Sequence, residues 1–173
     1  YPEPLDESIA FKIGVGTAAL LVSESSEGGS IVIGHDMRPS SNSLVASLID
    51  GIVSSGVDVI DVGLVDTPFI AFAVNYLNAI GGIQTTASHN PIQYNGFKIC
   101  RAKAKPVGKG TGLEIIETSV YNAQPTHECT RGSVTQVDLW DAYKEHVFQY
   151  LDPRIQSGEI KIKAAVDASN GMA

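Results

Sequence analysis

Three short runs rich in β-branched residues, IVIG (31–34), VDVIDVG (57–63) and GGIQTTA (81–87), recur along the chain with helix-length segments between them. Runs this short, bounded by glycine and turn residues, read as buried strands. A strand, a helix and a second strand have one common solution: the strands pair in parallel and the helix crosses over right-handedly to pack on the sheet. The intervening segments carry the helix signals. Asp6 is placed to cap a helix with Ile9, Ile13, Leu20 and Leu21 roughly on one face, ended by GGS at 28–30. Ser41 or Ser43 is placed to cap a second helix, with Leu44, Leu48, Ile52 and Val53 on its apolar side and Gly56 after its end. Pro39 keeps Arg38 out of helical geometry. Thr67-Pro68 opens a third helix that runs through Leu77.

A fourth strand, GFKIC (96–100), follows the third after only about eight residues, too few for a crossover, so that pair is an antiparallel hairpin. The expected fold is a three-layer α/β/α sandwich around a four-stranded mixed sheet, three strands parallel and the fourth antiparallel. Residues 101–111 are rich in Lys, Gly and Pro and read as an exposed loop. Leu113–Tyr121 reads as a helix, and 122–132 has no period. Val137–Tyr150 reads as a helix in which Val137, Trp140, Tyr143, Val147 and Leu151 make one buried stripe, with Trp140 in the core. LDPRIQSGE (151–159) has the composition of a linker, and IKIKAAVD (160–167) alternates like a strand before ASNGMA. Such a strand cannot bury its faces alone. The expected organisation is therefore one domain over 1–150, then a linker and the first strand of a second domain over 151–173.

The formal charge of −7 on 173 residues works against binding to nucleic acid or to an anionic membrane surface, and no block of Lys or Arg reverses it locally. No apolar run approaches the roughly 20 residues that span a bilayer. Cys100 and Cys129 form no C-x-x-C pair; two thiols without a framework suit a reducing compartment, so a cytoplasmic location is expected.

GVGTAA (14–19) matches the G-x-G-x-x-A dinucleotide fingerprint. That motif needs a strand before it and a helix start after it. Here the glycines fall inside a helical pattern already begun at Asp6, so they read as tolerated or close-packed helix glycines.

TTASHNPIQYNGFK (85–98) is the segment that asks for chemistry. A hydrolase elbow needs glycines on either side of Ser88, and none is there. His89 is a poor base for Ser88, because adjacent residues on an extended segment point opposite ways. A hydrolase would be labelled by a fluorophosphonate probe, which is not expected. A serine hydroxyl held beyond the C-terminal end of a strand, with His89 and Lys98 near it, is suited to carry a phosphoryl group. The residues themselves leave that reading and a simple capped turn both open.

T-A-S-H-N-P followed by N-G-x-K resembles the phosphoserine loop of the α-D-phosphohexomutases, the phosphoglucomutase and phosphomannomutase superfamily. VIGHDMRPSS resembles that family's G-x-D-x-R-x-S strand and turn. DVGLVDTPFIAFAV resembles its V-G-x-x-x-T-P helix start, and AAVDASNGMA the opening of its second domain. The likeness is weakest over 101–133. It implies an enzyme that interconverts hexose 1-phosphate and hexose 6-phosphate through a phosphoserine and a bound 1,6-bisphosphate. On that likeness Ser88 carries the phosphoryl group and His89 positions or protonates at the reacting oxygen. Lys98 is the acid/base or phosphate contact, Asn90 shapes the loop and touches substrate, and Arg38 organises the loop. The likeness further implies Mg²⁺, with Ser88 a ligand through its phosphate, and glucose or mannose 1,6-bisphosphate as activator.

The family's acidic metal loop, its sugar-recognition loop and its C-terminal phosphate-clamping loop have no counterpart here, and its G-T-S/A-G-x-R-G segment would end just before Tyr1. The expectation is a fragment that folds and does not catalyse without the remaining domains of the same polypeptide. Glucose, mannose and glucosamine phosphates stay open as substrates, as does a non-catalytic sugar-phosphate-binding module. His35 follows a strand near Arg38 and could face the site. His127 near Cys129 gives two donors, which do not make a metal site.

Overall fold

The computed structural model describes residues 5–26, 28–122 and 130–167. The elements in chain order are α1 (Glu7–Ser23), β1 (Ile31–His35), α2 (Ser41–Ser54), β2 (Val59–Leu64), α3 (Thr67–Tyr76), β3 (Gly81–Thr85), β4 (Phe97–Arg101), β5 (Lys105–Pro106), α4 (Leu113–Asn122), β6 (Val134–Gln136), α5 (Trp140–Phe148) and α6 (Pro153–Gln156). One sheet holds all the strands in the order β5-β4-β3-β1-β2-β6. β1 pairs in parallel with β2 and with β3, and β6 in parallel with β2; β4 and β5 run antiparallel.

The alternation of side chains along β1 builds the three layers. Ile31 and Ile33 face one cluster with Ala18 and Leu21 of α1 and Val45, Leu48 and Ile52 of α2. Val32 faces the other cluster with Phe69, Ile70, Ala73 and Val74 of α3, together with Leu139. All these side chains are 6% exposed or less except Leu139 at 7%. Their burial is the main stabilising term, about 1.5–3 kcal/mol for each large side chain.

The glycines of GVGTAA serve the α1–α2 crossing. A Cβ on Gly14 would lie 2.2 Å from the Leu48 carbonyl oxygen, and one on Gly51 2.1 Å from the Phe11 carbonyl oxygen. The two helices therefore touch backbone to backbone.

Several expectations are corrected. Among the described residues the sheet has six strands, not four: β5 and β6 add two- and three-residue strands at its two edges, in segments whose exposed residues give no alternation to read. The fourth parallel strand, β6, displaces the start of the next helix from Val137 to Trp140. That helix buries none of its residues, and Trp140 is 42% exposed. It leans on α3 through rings, with Trp140 and Tyr143 centred 4.9 and 4.8 Å from Phe69. The linker contains α6, started by Asp152 and Pro153. Residues 161–167 pair with no strand. The second helix is entered through Ser40, because the Ser41 hydroxyl is turned to Asp36. The third is capped by Asp66 rather than Thr67, its carboxylate accepting from the Phe69 amide at 3.0 Å.

Candidate active site

The parallel strands β1, β2 and β3 end together at His35, Leu64 and Thr85, and the loop after β3 crosses this end of the sheet. Thr86 and Ala87 continue buried; Ser88 is the first exposed residue. Its φ of 57° is left-handed, which for a serine costs on the order of 1 kcal/mol and persists only where neighbours enforce it. The enforcing bonds are on both sides of the residue. The Ser88 amide donates to Thr86 Oγ1 at 2.9 Å, and its carbonyl accepts from Arg38 Nη2 at 2.9 Å. The turn that follows is closed by Asn90, whose amide and side-chain Nδ2 both donate to the Ala87 carbonyl, at 3.1 and 2.8 Å.

Arg38 reaches the loop from the β1–α2 turn and uses all five of its donors. Nε donates to Asp36 Oδ2 at 3.0 Å. Nη1 donates to the carbonyls of Pro91 and Tyr94 at 2.7 and 3.1 Å. Nη2 donates to those of Ser88 and Asn90 at 2.9 and 2.8 Å. The side chain is only 10% exposed, so a cation is seated among four loop carbonyls and one carboxylate.

Asp36 anchors that cation and is itself 7% exposed. Burial works against its charge. Hydrogen bonds from the hydroxyls of Thr86 and Ser41 and from the amide and side chain of Arg38 outweigh that effect and hold the carboxyl below the ordinary aspartate range. The network continues to Asn95. Its Nδ2 donates to Ser40 Oγ and Ser41 Oγ, both at 3.0 Å, and its Oδ1 accepts from the Gly96 amide at 2.9 Å.

Lys98 sits in β4 opposite Gln84 of β3, and its Nζ lies 3.5 Å from Ser88 Oγ. His89 is exposed and has no hydrogen bond or ion pair among the described residues. His35 Nδ1 lies 2.9 Å from the Asp36 carbonyl oxygen, so that nitrogen carries the proton and the ring is held at the end of β1. Ser88, Lys98, Asn90 and Arg38 are thus brought together. No histidine bonds the Ser88 hydroxyl, and a serine-hydrolase arrangement is absent among the described residues. His127 and Cys129 lie outside the described residues. Cys100 is a free thiol whose pKa is pushed up by burial.

Among the described residues no three His, Cys, Asp or Glu side chains gather as a metal site. An open groove of about 690 Å³ between α3 and α5 is lined by Phe72, Tyr76, Tyr143, His146 and Tyr150; none of the residues around Ser88 borders it. No helix among the described residues is long and apolar enough to cross a membrane. Asp36, Thr86 and Asn95 fall within the motifs that carry the resemblance and Ser41 is a helix-cap candidate, but sequence reasoning assigns none of the four a role in the site. Their partners lie as many as 55 residues away in the chain, a separation that no local pattern reveals.

Residues 1–126 match the family described as phosphoglucomutase/phosphomannomutase, alpha/beta/alpha domain I. A phosphomannomutase of Escherichia coli is 38% identical over 173 residues, 99% of this chain and 36% of that protein. A protein named phosphohexose mutases from Xanthomonas campestris is 39% identical over 171 residues, 98% of this chain and 36% of that one. The chain therefore spans about a third of the length of these relatives. A solved structure of a putative phosphomannomutase from Thermus thermophilus superposes with a TM-score of 0.77 at 30% identity, over 91% of this chain and 35% of that chain. A phosphoglucomutase/phosphomannomutase family protein from Burkholderia thailandensis superposes with a TM-score of 0.72 at 32% identity, over 84% of this chain and 32% of that chain. The chain belongs to the phosphoglucomutase/phosphomannomutase family, and carries its α/β/α domain I.

Proposed function

We propose that this chain is the phosphoserine-bearing part of a phosphohexomutase that interconverts hexose 1-phosphate and hexose 6-phosphate. Residues 1–150 would form its first domain, and 151–173 would lead into the second. The observation that carries the reading is Ser88. Its hydroxyl is exposed beyond the C-terminal end of a parallel strand, in a left-handed turn, with Lys98 Nζ 3.5 Å away.

The chemistry is the one that the likeness to the phosphohexomutases implies, and the geometry is compatible with it. Phosphorylated Ser88 donates its phosphoryl group to the free hydroxyl of a hexose monophosphate: the P–Oγ bond breaks, the new P–O bond forms, and the sugar hydroxyl gives up its proton. Lys98 protonates the departing Ser88 oxygen, and the proton released by the sugar hydroxyl returns through solvent to restore the Lys98 ammonium. The resulting 1,6-bisphosphate reorients and returns its other phosphoryl group, with Lys98 in the opposite protonation role. Phosphoryl transfer depends on in-line positioning and on neutralising spread charge. Arg38 contributes to the first by holding the loop backbone. His89, with no partner among the described residues, is free to hydrogen-bond the phosphate or the reacting oxygen. Asn90 shapes the turn and faces the substrate side.

A Mg²⁺ ion, when bound, would withdraw charge from the phosphate. Ser88 through its phosphate is the one ligand these residues offer, because Asp36 is committed to four hydrogen bonds. The other ligands would come from the remaining domains of the polypeptide, and this segment alone would be inactive. The relatives named phosphomannomutase favour mannose phosphate, with glucose phosphate as a second substrate; glucosamine phosphate is the alternative. A hexose 1,6-bisphosphate would serve as activator by phosphorylating Ser88. No nucleic-acid or membrane partner is proposed, and the location would be cytoplasmic.

The test is the intact mass of the native gene product, with phosphopeptide mapping and turnover of mannose and glucose 1-phosphates. A phosphoryl group on Ser88 and activity abolished by Ser88→Ala support the reading. An unmodified Ser88 in a protein inert towards both sugars and their bisphosphates overturns it in favour of a non-catalytic module.

A further inference from the structure

Asp36 is the only buried acidic side chain among the described residues, and both of its oxygens lead to the loop. Oδ2 accepts the Thr86 hydroxyl at 2.7 Å, and Thr86 Oγ1 in turn accepts the Ser88 amide at 2.9 Å. Oδ1 accepts the Ser41 hydroxyl at 2.8 Å, and Ser41 Oγ accepts Asn95 Nδ2 at 3.0 Å. Asn95 then holds the Gly96 amide at 2.9 Å, two residues before Lys98. The two limbs are tied to each other where the Thr86 amide donates to the Gly96 carbonyl at 2.9 Å.

The direction of every bond is forced. A hydroxyl has one proton, so a hydroxyl that accepts an amide N–H must pass its own proton onward. An ionised carboxylate only accepts, and it ends both chains. A proton on Asp36, or an amide in its place, turns one of the two oxygens into a donor and breaks one limb; a side chain that accepts nothing takes the end from both limbs together.

We propose that Asp36 is a positioning residue for the phosphoryl carrier. It acts through Thr86 on the left-handed Ser88 and through Ser41 and Asn95 on the strand that presents Lys98. The inference rests on the phosphoserine reading for its catalytic consequence, and on hydrogen bonding alone for its structural one.

The experiment compares Thr86→Val, which keeps shape and removes the hydroxyl, with Thr86→Ser, which keeps the hydroxyl, and with Asp36→Ala, which accepts from neither limb. It is run on the native gene product, reading amide hydrogen exchange and turnover of the hexose phosphate. In Thr86→Val the Ser88 amide is expected to exchange about tenfold faster, the loss of one hydrogen bond. The kcat is expected to fall about tenfold to a hundredfold with KM within about threefold, because misplacement costs transition-state alignment more than binding. Thr86→Ser restores exchange protection and most of the rate. Asp36→Ala accelerates exchange at both Ser88 and Gly96.

Three results would overturn the proposal. One is unchanged Ser88 exchange in Thr86→Val. Another is Thr86→Ser as impaired as Thr86→Val. The third is an Asp36→Ala variant in which only one limb responds. A wild-type protein that is inert towards hexose phosphates would strike the mutase reading instead, and the exchange comparison would still decide the relay.

Discussion

Lys98 faces Gln84 across the β3–β4 ladder, and that register brings its ammonium to 3.5 Å from Ser88 Oγ. The pairing matters because side chains alternate along a strand; a slip of one residue would send Lys98 to the other face of the sheet. If Lys98 moves the proton at Ser88 Oγ, then Lys98→Met lowers the hexose phosphate turnover of the native gene product by about 10²–10⁴-fold. Lys98→Arg keeps the charge but not a usable proton at neutral pH, because a guanidinium does not deprotonate there. It should bind substrate nearly as the wild type and turn over little faster than Lys98→Met. Steady-state kinetics on both variants checks this, and a Lys98→Arg variant with wild-type kcat would remove the proton-transfer role.

Arg38 gives a stability prediction that does not depend on catalysis. Its five donors go to four loop carbonyls and the Asp36 carboxylate. Arg38→Ala leaves that carboxylate short of its cation and the carbonyls without partners, at an expected cost of about 2–4 kcal/mol. Arg38→Lys cannot reproduce a planar fork with a point charge and recovers only part of that loss. Urea titration of this chain, followed by far-UV circular dichroism, measures both.

The same pair sets the response to acid. The Asp36 carboxyl is held below its ordinary range when folded, so its stabilising contribution is fully present above the unfolded aspartate value of about 3.9. It is lost as pH falls through the depressed folded value. The difference in stability between wild type and Asp36→Asn should therefore be flat near neutrality and shrink below about pH 3.9. Denaturant midpoints at a series of pH values give the curve. A difference that grows on acidification would mean that the carboxyl is protonated in the fold.

Much of this was legible in the sequence where burial is two-sided. β1, β2 and β3 carry β-branched runs because both faces of the central sheet are covered, and their order with the helices fixes parallel pairing. β5 and β6 carry no such signal: they are short, exposed edge strands defined by backbone pairing alone. The apolar spacing over 137–151 reads as a core stripe, yet Val147 is 45% and Leu151 37% exposed, because α5 has only one edge of α3 to lean on. In the site, Ser88, His89, Asn90 and Lys98 stand out because they are close in sequence. Asp36 did not, because what makes it informative is the set of donors that converges on it from β3, α2 and its own turn.

Gly51 separates propensity from packing with opposite signs. In a helix, Gly→Ala ordinarily stabilises by about 0.8–1 kcal/mol, so Gly51 in the interior of α2 looks like a site for improvement. Its added Cβ would meet the Phe11 carbonyl oxygen at 2.1 Å and the Phe11 carbonyl carbon at 2.9 Å. Both are backbone atoms of α1 and cannot swing aside. Relief requires the two helices to separate, which opens the contacts of Leu48 and Ile52 with the sheet. The expected outcome of Gly51→Ala is a loss of about 1–3 kcal/mol or more, the cost of overpacking set against the propensity gain. Gly108→Ala is the control: its added Cβ would find only Thr111 Oγ1, at 3.8 Å, and should stay within about 0.5 kcal/mol of wild type. Denaturant midpoints of the two variants decide between the mechanisms. A stabilised Gly51→Ala would show that the α1–α2 crossing is looser than a backbone contact.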